Sequence, residues 1–126
     1  MSYIQNLKVE IEVEISNEDI DNIVSTALEG GINYWCCSAE IGEEEYLGEY
    51  ASEQIARGGT LILYDSEEDE TYVLTKENLL KGIAQAIKAG HGISWIEEGK
   101  LDMFTFDAGD ADLVVQYALF GEVVFG

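Results

Sequence analysis

Two adjacent cysteines, Cys36 and Cys37, are the residues of this sequence best suited to covalent chemistry, and they end the segment GGINYWCC at residues 30–37. A cysteine nucleophile needs a neighbouring base. The sole histidine, His91, lies far along the chain between two glycines. Because free cysteine is among the most buried residue types, we predict that this segment is a helix end followed by core, with one or both thiols buried.

Metal and phosphate sites lack the patterns they require. Two cysteines and one histidine fall short of a tetrahedral zinc site. The acidic run at residues 65–70 offers oxygen atoms that suit calcium, but it has no central glycine and lies between predicted strands. The aspartates at residues 107–112 are better explained as a helix cap, and the Gly-Gly pairs follow helices rather than precede them. We therefore expect no metal, no cofactor and no enzymatic activity.

Arg57 is the only arginine, and it lies at the end of a predicted helix. One interpretation is that it compensates the helix dipole beside a carboxylate. The other is that it anchors an anionic ligand, such as a signalling nucleotide. The ligand pocket predicted by this second interpretation is lined by Tyr34, Trp35, Tyr50, Arg57 and His91.

Charge is the most unusual property of the chain, since it contains 26 Asp and Glu residues but only 6 Lys and Arg residues, which gives a formal net charge of −20. Such a surface repels phosphate backbones and anionic membranes and attracts basic proteins. A solvated surface that serves only solubility is the simpler alternative. The carboxylates predicted to bind a partner are Glu10, Glu12, Glu14, Glu43, Glu44, Glu45, Glu49, Glu67, Glu68 and Asp69.

The length of 126 residues and a hydrophobic content of 47% predict a single compact domain, residues 1–126. No apolar run approaches the roughly 18 residues of a membrane span. The N-terminus shows no basic stretch followed by an apolar run, so we expect a cytoplasmic setting.

The hydrophobic pattern predicts an α+β fold, with an antiparallel or mixed sheet and about four helices. Alternation predicts a strand over 7–15, and strand hairpins are expected over 60–75 and 93–106. Helical spacing predicts helices over 17–29, 43–57, 76–89 and 110–120, the last of them started by Asp107 and Asp110. A buried strand is expected at 32–37 and a short strand at 122–126. Carboxylates on one strand face would lie about 6.5–7 Å apart, comparable to successive phosphates of a DNA strand.

Three segments, ALEGGINYWC, YLGEYASEQIARGGTLILYD and ADLVVQYALFGEVVFG, resemble a family of small acidic proteins encoded by phages and prophages of Gram-positive gut bacteria. The resemblance covers nearly the whole chain and implies an accessory phage protein that works in the host cytoplasm. Such proteins often inhibit host defence, as anti-CRISPR and anti-restriction proteins do, and some imitate nucleic acid. No site residues follow from the resemblance.

Together these observations favour a non-enzymatic inhibitor whose acidic, nucleic-acid-mimicking surface blocks a basic host protein. Direct binding to nucleic acid or membranes is not expected. The alternatives are a nucleotide-sequestering protein and a structural phage protein, in which the apolar C-terminal run at 113–126 would form a homodimer seam.

Overall fold

The fold was analysed in a computed structural model, which describes residues 4–8, 10–42, 45–67 and 69–126, except for the side chain of Ile93. These described residues form three α-helices: α1 (Asn17–Thr26), α2 (Lys76–Lys88) and α3 (Ala108–Phe120). The strands are β1 (Cys36–Ile41), β2 (Leu61–Asp65), β3 (Thr71–Leu74), β4 (Ile96–Glu97) and β5 (Lys100–Leu101). A π-helical turn (Ala27–Gly31) extends α1, and three 3₁₀ turns lie at Ala51–Glu53, Ile93–Trp95 and Met103–Thr105.

Strands β1, β2 and β3 form an antiparallel sheet in that spatial order, and β4 pairs with β5 in a separate hairpin. The residues of β2 alternate between buried and half-buried, with Leu61 and Leu63 on the core side. This arrangement confirms the predicted α+β class.

Each α-helix begins at a capping box, in which the side chain of the cap residue accepts from the N–H three residues later and the side chain of that later residue accepts from the N–H of the cap. The caps are Ser16, Thr75 and Asp107, whose oxygens accept from the N–H groups of residues 19, 78 and 110. The sequence pattern predicted the start at Thr75 as observed, the first start within the run 16–19 and the third within 107–110.

Helices α2 and α3 pack closely because Gly82 has no side chain. A Cβ atom at Gly82 would lie 2.6 Å from the N of Ala118 and 2.6 Å from the O of Val114. Around this contact Leu79, Ile83 and Val114 are buried, and they join one core with α1 and the sheet.

The predicted strand over 7–15 is wrong. Residues 4–8 and 10–13 form no strand, and Glu14 makes a single isolated bridge to Lys100. Val13 and Ile15 still pack against the core, whereas Leu7 and Ile11, of the same parity, are 87% and 61% exposed. The alternation therefore gives the buried side only at the end of the segment. A regular strand needs a partner, and a row of like charges opposes pairing with the acidic elements of this chain.

The predicted helix over 43–57 is also wrong within residues 45–57, which form turns and the short 3₁₀ turn. The side chain of Gln54 is fully buried, accepts from the N–H of Leu47 at 3.1 Å and donates to the O of Glu45 at 2.9 Å. These bonds occupy backbone groups that a helix would pair internally. The predicted total of four helices is therefore one too many.

Two smaller predictions also shift. The strand expected at 32–37 begins only at Cys36, after a turn, and continues to Ile41. Residues 122–126 form no strand; they are a tail held by side chains. The hairpin at 93–106 is confirmed in reduced form, because each of its strands is two residues long and is flanked by 3₁₀ turns.

Candidate acidic binding surface

The backbone of Glu14 joins the N-terminal glutamates to the β4–β5 hairpin. Its N–H donates to the O of Gly99 at 2.6 Å, and its O accepts from the N–H of Leu101 at 3.4 Å. The O of Glu12 would lie 3.7 Å from a Cβ at Gly99. A turn carrying two further glutamates is thereby placed beside the predicted row. We call this set the acidic edge: Glu10, Glu12, Glu14, Glu97 and Glu98.

All five members of the acidic edge are exposed. Lys100 lies 4.0 Å from Glu14, but both side chains are at least 70% exposed, so water screens this ion pair and its contribution to stability is small. Lys8 is exposed on the same segment. Five carboxylates therefore outnumber two ammonium groups. Sequence reasoning missed Glu97 and Glu98, although the EEGK turn that carries them was recognised.

The other predicted carboxylates belong to different elements. Glu67 and Asp69 are exposed in the β2–β3 turn, and Glu68 lies outside the described residues. Asp65 is buried below them and accepts from the N–H of Glu67 at 2.8 Å and from the hydroxyl of Tyr72 at 3.3 Å. This carboxylate shapes the turn and leaves the two exposed acids on its outer side.

The third acidic group is the loop of residues 45–53, where Glu45 and Glu49 are exposed. Glu43 and Glu44 fall outside the described part of the chain. Glu53 accepts from the N–H groups of Glu49 and Tyr50 at 3.1 and 3.0 Å, and its other oxygen lies 3.3 Å from Arg57. The described members of the predicted set thus form three groups on three elements instead of one face.

The aromatic pair of the GGINYWCC segment has a structural role. Tyr34 donates to Oδ2 of Asp112 at 2.5 Å, and Trp35 Nε1 donates to Oδ1 at 2.8 Å. The ring of Trp35 stacks on Phe125 with centroids 4.8 Å apart and planes 6° from parallel. One carboxylate on α3 therefore fixes both aromatics, and Trp35 in turn holds the C-terminal tail.

Gln116 completes this attachment from a fully buried position on α3. Its oxygen accepts from the N–H groups of Val124 and Phe125, both at 2.8 Å. Its amide nitrogen donates to Asp112 at 2.9 Å and to the O of Phe125 at 3.3 Å. The apolar end of the chain is consequently docked on its own α3 and Trp35.

Tyrosine pKa values reflect these carboxylates. Burial of the Tyr34 hydroxyl and, as a smaller contribution, its hydrogen bond to Asp112 raise the pKa of Tyr34 to about 12. The ring is 56% exposed, so the shift belongs to the hydroxyl end of the side chain. Burial and the bond to Glu70 raise the pKa of Tyr72 to about 12. Both hydroxyls therefore remain neutral donors across the physiological range.

The five residues of the predicted ligand pocket have three different sets of neighbours. Tyr34 and Trp35 bind the tail. Arg57 lies 3.6 Å from Asp21 and 3.3 Å from Glu53, whose other oxygen accepts from the exposed Tyr50. His91 is exposed, with its ring 6.1 Å from Tyr117.

These contacts give Arg57 the carboxylate partners that the first interpretation of this residue expected. No α-helix ends at Arg57, so the helix-dipole part of that interpretation is wrong. Its guanidinium connects α1 to the loop through two carboxylates, which leaves less positive charge for an anion. Neither of the two clefts described next is lined by any of the five pocket residues.

A cleft of about 360 Å³ lies beside the cysteines, between the end of α1 and β1. Cys36 is buried, as predicted, whereas Cys37 is exposed. Burial raises the pKa of the Cys36 thiol, which keeps it protonated and a poor nucleophile. A second, more apolar cleft of about 600 Å³ lies between residues 10–15 and α2.

Among the described residues, no group of three or more His, Cys, Asp or Glu side chains is arranged to hold a metal ion. Within the same part of the chain no helix has the length and apolar character needed to cross a membrane. Comparisons with protein-family models, curated proteins and solved structures gave no match.

Proposed function

We propose that this protein is a non-enzymatic inhibitor that occupies a basic, nucleic-acid-binding groove of a host protein with its acidic edge. The observation that carries the proposal is the concentration of exposed carboxylates on one described surface, built by Glu12, Glu14 and the β4–β5 turn, in a chain of net charge −20. The proposed setting is the cytoplasm of a bacterium infected by a phage.

Electrostatics supports this assignment. A surface dense in one sign of charge speeds the encounter with an oppositely charged surface and repels nucleic acid itself. Backbone hydrogen bonds join Glu14 to the β4–β5 hairpin, so the carboxylates of Glu14, Glu97 and Glu98 are held on a defined backbone. A rigid row of charge competes with a phosphate backbone better than a flexible one, because less conformational entropy is lost on binding.

A salt-resolved capture experiment tests the proposal. The tagged protein is incubated with lysate of a Gram-positive host at low salt, and bound proteins are eluted by rising salt and identified. We expect a nucleic-acid-binding protein that elutes at moderate salt, and whose nucleic acid is displaced by this protein in a competition assay. A captured protein that still binds its nucleic acid with unchanged affinity would contradict the inhibitor proposal.

Matched charge variants locate the surface. The variant Glu10→Gln/Glu12→Gln/Glu98→Gln removes three charges from the acidic edge. The control, Glu67→Gln/Asp69→Asn/Glu122→Gln, removes three exposed charges elsewhere. We expect the first to weaken binding by about tenfold or more and the control by much less, since contact charges contribute more than distant ones. Equal losses would show that net charge alone drives binding.

A further inference from the structure

The N-terminal segment and α2 form the two walls of the open apolar cleft of about 600 Å³. Ile11 and Val13 line one wall together with Glu10, and Leu80, Ile83 and Ile87 line the other together with Lys88. Ile11 is 61% exposed and Leu80 is 37% exposed, whereas Ile83 at the base is buried. Filling such a cleft with an apolar side chain of another molecule is favourable, because apolar surface on both molecules is removed from water.

The wall formed by residues 10–13 also has free backbone groups. Neither these residues nor residues 4–8 make a backbone hydrogen bond to another described residue; the first such bond along the chain belongs to Glu14. The sequence of this segment nevertheless alternates apolar and charged residues with the period of a strand. Its composition favours a strand, and the missing component is a partner strand.

We propose that this cleft receives an extended segment of a basic partner protein, which pairs with the backbone of residues 10–13 as an added strand. Alternate side chains of that segment would be apolar and enter the cleft against α2. The intervening ones would be Lys or Arg and would lie beside Glu10 and Glu12. This inference rests on the proposed function and specifies the form of the partner: a strand in which apolar and basic residues alternate.

Charge decides between this occupant and a second copy of the chain. Pairing two N-terminal segments would bring glutamates beside glutamates, and like charges on paired strands are destabilising. It would also bring together two molecules of net charge −20. A basic strand reverses both effects, because each Lys or Arg faces a carboxylate of the acidic edge.

Two synthetic peptides of identical composition test the inference. Each is about seven residues long, slightly longer than the commonest strand in proteins. In one, Lys and Val alternate; in the other, all Lys residues precede all Val residues. Binding to the full chain is measured by fluorescence anisotropy at low and moderate salt. We expect the alternating peptide to bind at least about tenfold more tightly, because only this peptide places apolar and basic groups on opposite faces of one strand.

Variants of the cleft complete the test. Ile11→Ser and Leu80→Ser should each weaken binding of the alternating peptide about fivefold or more, which is the effect of losing a buried aliphatic contact. Phe104→Ser, at a side chain that is 93% exposed outside the cleft, is the control and should change little. Because Ile11 lies in a segment without regular structure, its variant keeps the fold even if Leu80→Ser does not.

Three results would overturn this inference: equal binding of the two peptides, no binding of either, or cleft variants that behave like the control. A concentration-dependent dimer that Ile11→Ser abolishes would also overturn it, in favour of a second copy. None of these results affects the salt-sensitive capture of a nucleic-acid-binding protein by the acidic edge. The two proposals can therefore fail separately.

Discussion

At the scale of single residues, Asp112 and Gln116 organise more of this molecule than any residue that the sequence singled out. They lie one turn apart on α3 and satisfy Tyr34, Trp35 and the tail backbone. Both were hidden in a helix whose pattern indicated a cap and an apolar run. A buried polar residue in such a run, as Gln116 is, could have been a signal, since its burial requires polar partners.

Replacing Gln116 tests this role. Gln116→Ala removes the acceptor of two tail N–H groups and the donor to Asp112 and to the O of Phe125. We therefore expect the free energy of unfolding to fall by about 3–4 kcal/mol, near 1 kcal/mol for each of the lost bonds. Gln85→Ala removes an exposed glutamine from α2 and should change stability by less than about 0.5 kcal/mol. Urea unfolding measures both, and similar values for the two variants would contradict the assignment.

The titration of Tyr34 gives a second prediction at this scale. Its folded pKa of about 12 exceeds the ordinary value of 10.0. The neutral hydroxyl therefore contributes its full stability below pH 10, and this contribution is lost as the pH rises from about 10 to about 12. Tyr34→Phe should show a smaller fall in the free energy of unfolding over that range, although Tyr72 still contributes to the fall. An unchanged fall would contradict the prediction; Tyr50→Phe is the control.

At the scale of elements, local signals predicted what local interactions determine. The capping boxes and helical spacing placed α2 and α3, and the turn chemistry placed the β2–β3 hairpin. The failures occurred where distant groups decide. Gln54 binds the backbone of residues 45 and 47, and the alternating segment at 10–13 lacks a partner strand. Periodicity gives the buried side of a segment but carries no information on its partner.

The same limit applies to the candidate site. The sequence identified Glu10, Glu12 and Glu14 as a row, and the structure adds Glu97 and Glu98 through a contact across more than eighty positions. The scattering of the remaining acids over two other elements was equally invisible in the sequence. A pocket built from Tyr34, Arg57 and His91 required a proximity that spacing along the chain cannot establish.

The contact between α2 and α3 supports a prediction for Gly82. In Gly82→Ala the added methyl group meets backbone atoms at 2.6 Å, so the helices must separate. We expect a net loss of up to about 2 kcal/mol, because overpacking costs about 1–3 kcal/mol and the better helix propensity of alanine returns about 1. Gly30→Ala, where nothing lies within 4 Å of the added atom, is the control. Chemical denaturation compares the two, and a stabilised Gly82→Ala would contradict the close packing.

At the scale of the whole molecule, the charge of −20 opposes compaction. Few cations offset it: Arg57 is engaged by two carboxylates, and Lys76 donates to Asn17 and to the O of Ala56 instead of pairing with an acid. The folded state therefore holds its acidic groups apart on an α+β core that supplies the stabilising free energy. The same repulsion would be relieved by a basic partner, so binding and stability share one electrostatic origin.

This shared origin predicts that salt stabilises the free protein while it weakens the complex. Raising NaCl from about 10 mM to about 0.5 M shortens the screening length from roughly 30 Å to less than 8 Å. We expect the thermal midpoint of the free chain to rise by roughly 5 °C. The acidic-edge variant Glu10→Gln/Glu12→Gln/Glu98→Gln should start at a higher midpoint and rise less, because some of the repulsion is already removed. Scanning calorimetry over a salt series measures both midpoints. If the midpoint of the unmodified chain fell or stayed constant with salt, its carboxylates would be too far apart to repel one another. The charge density of the acidic edge would then also be too low to compete with a phosphate backbone.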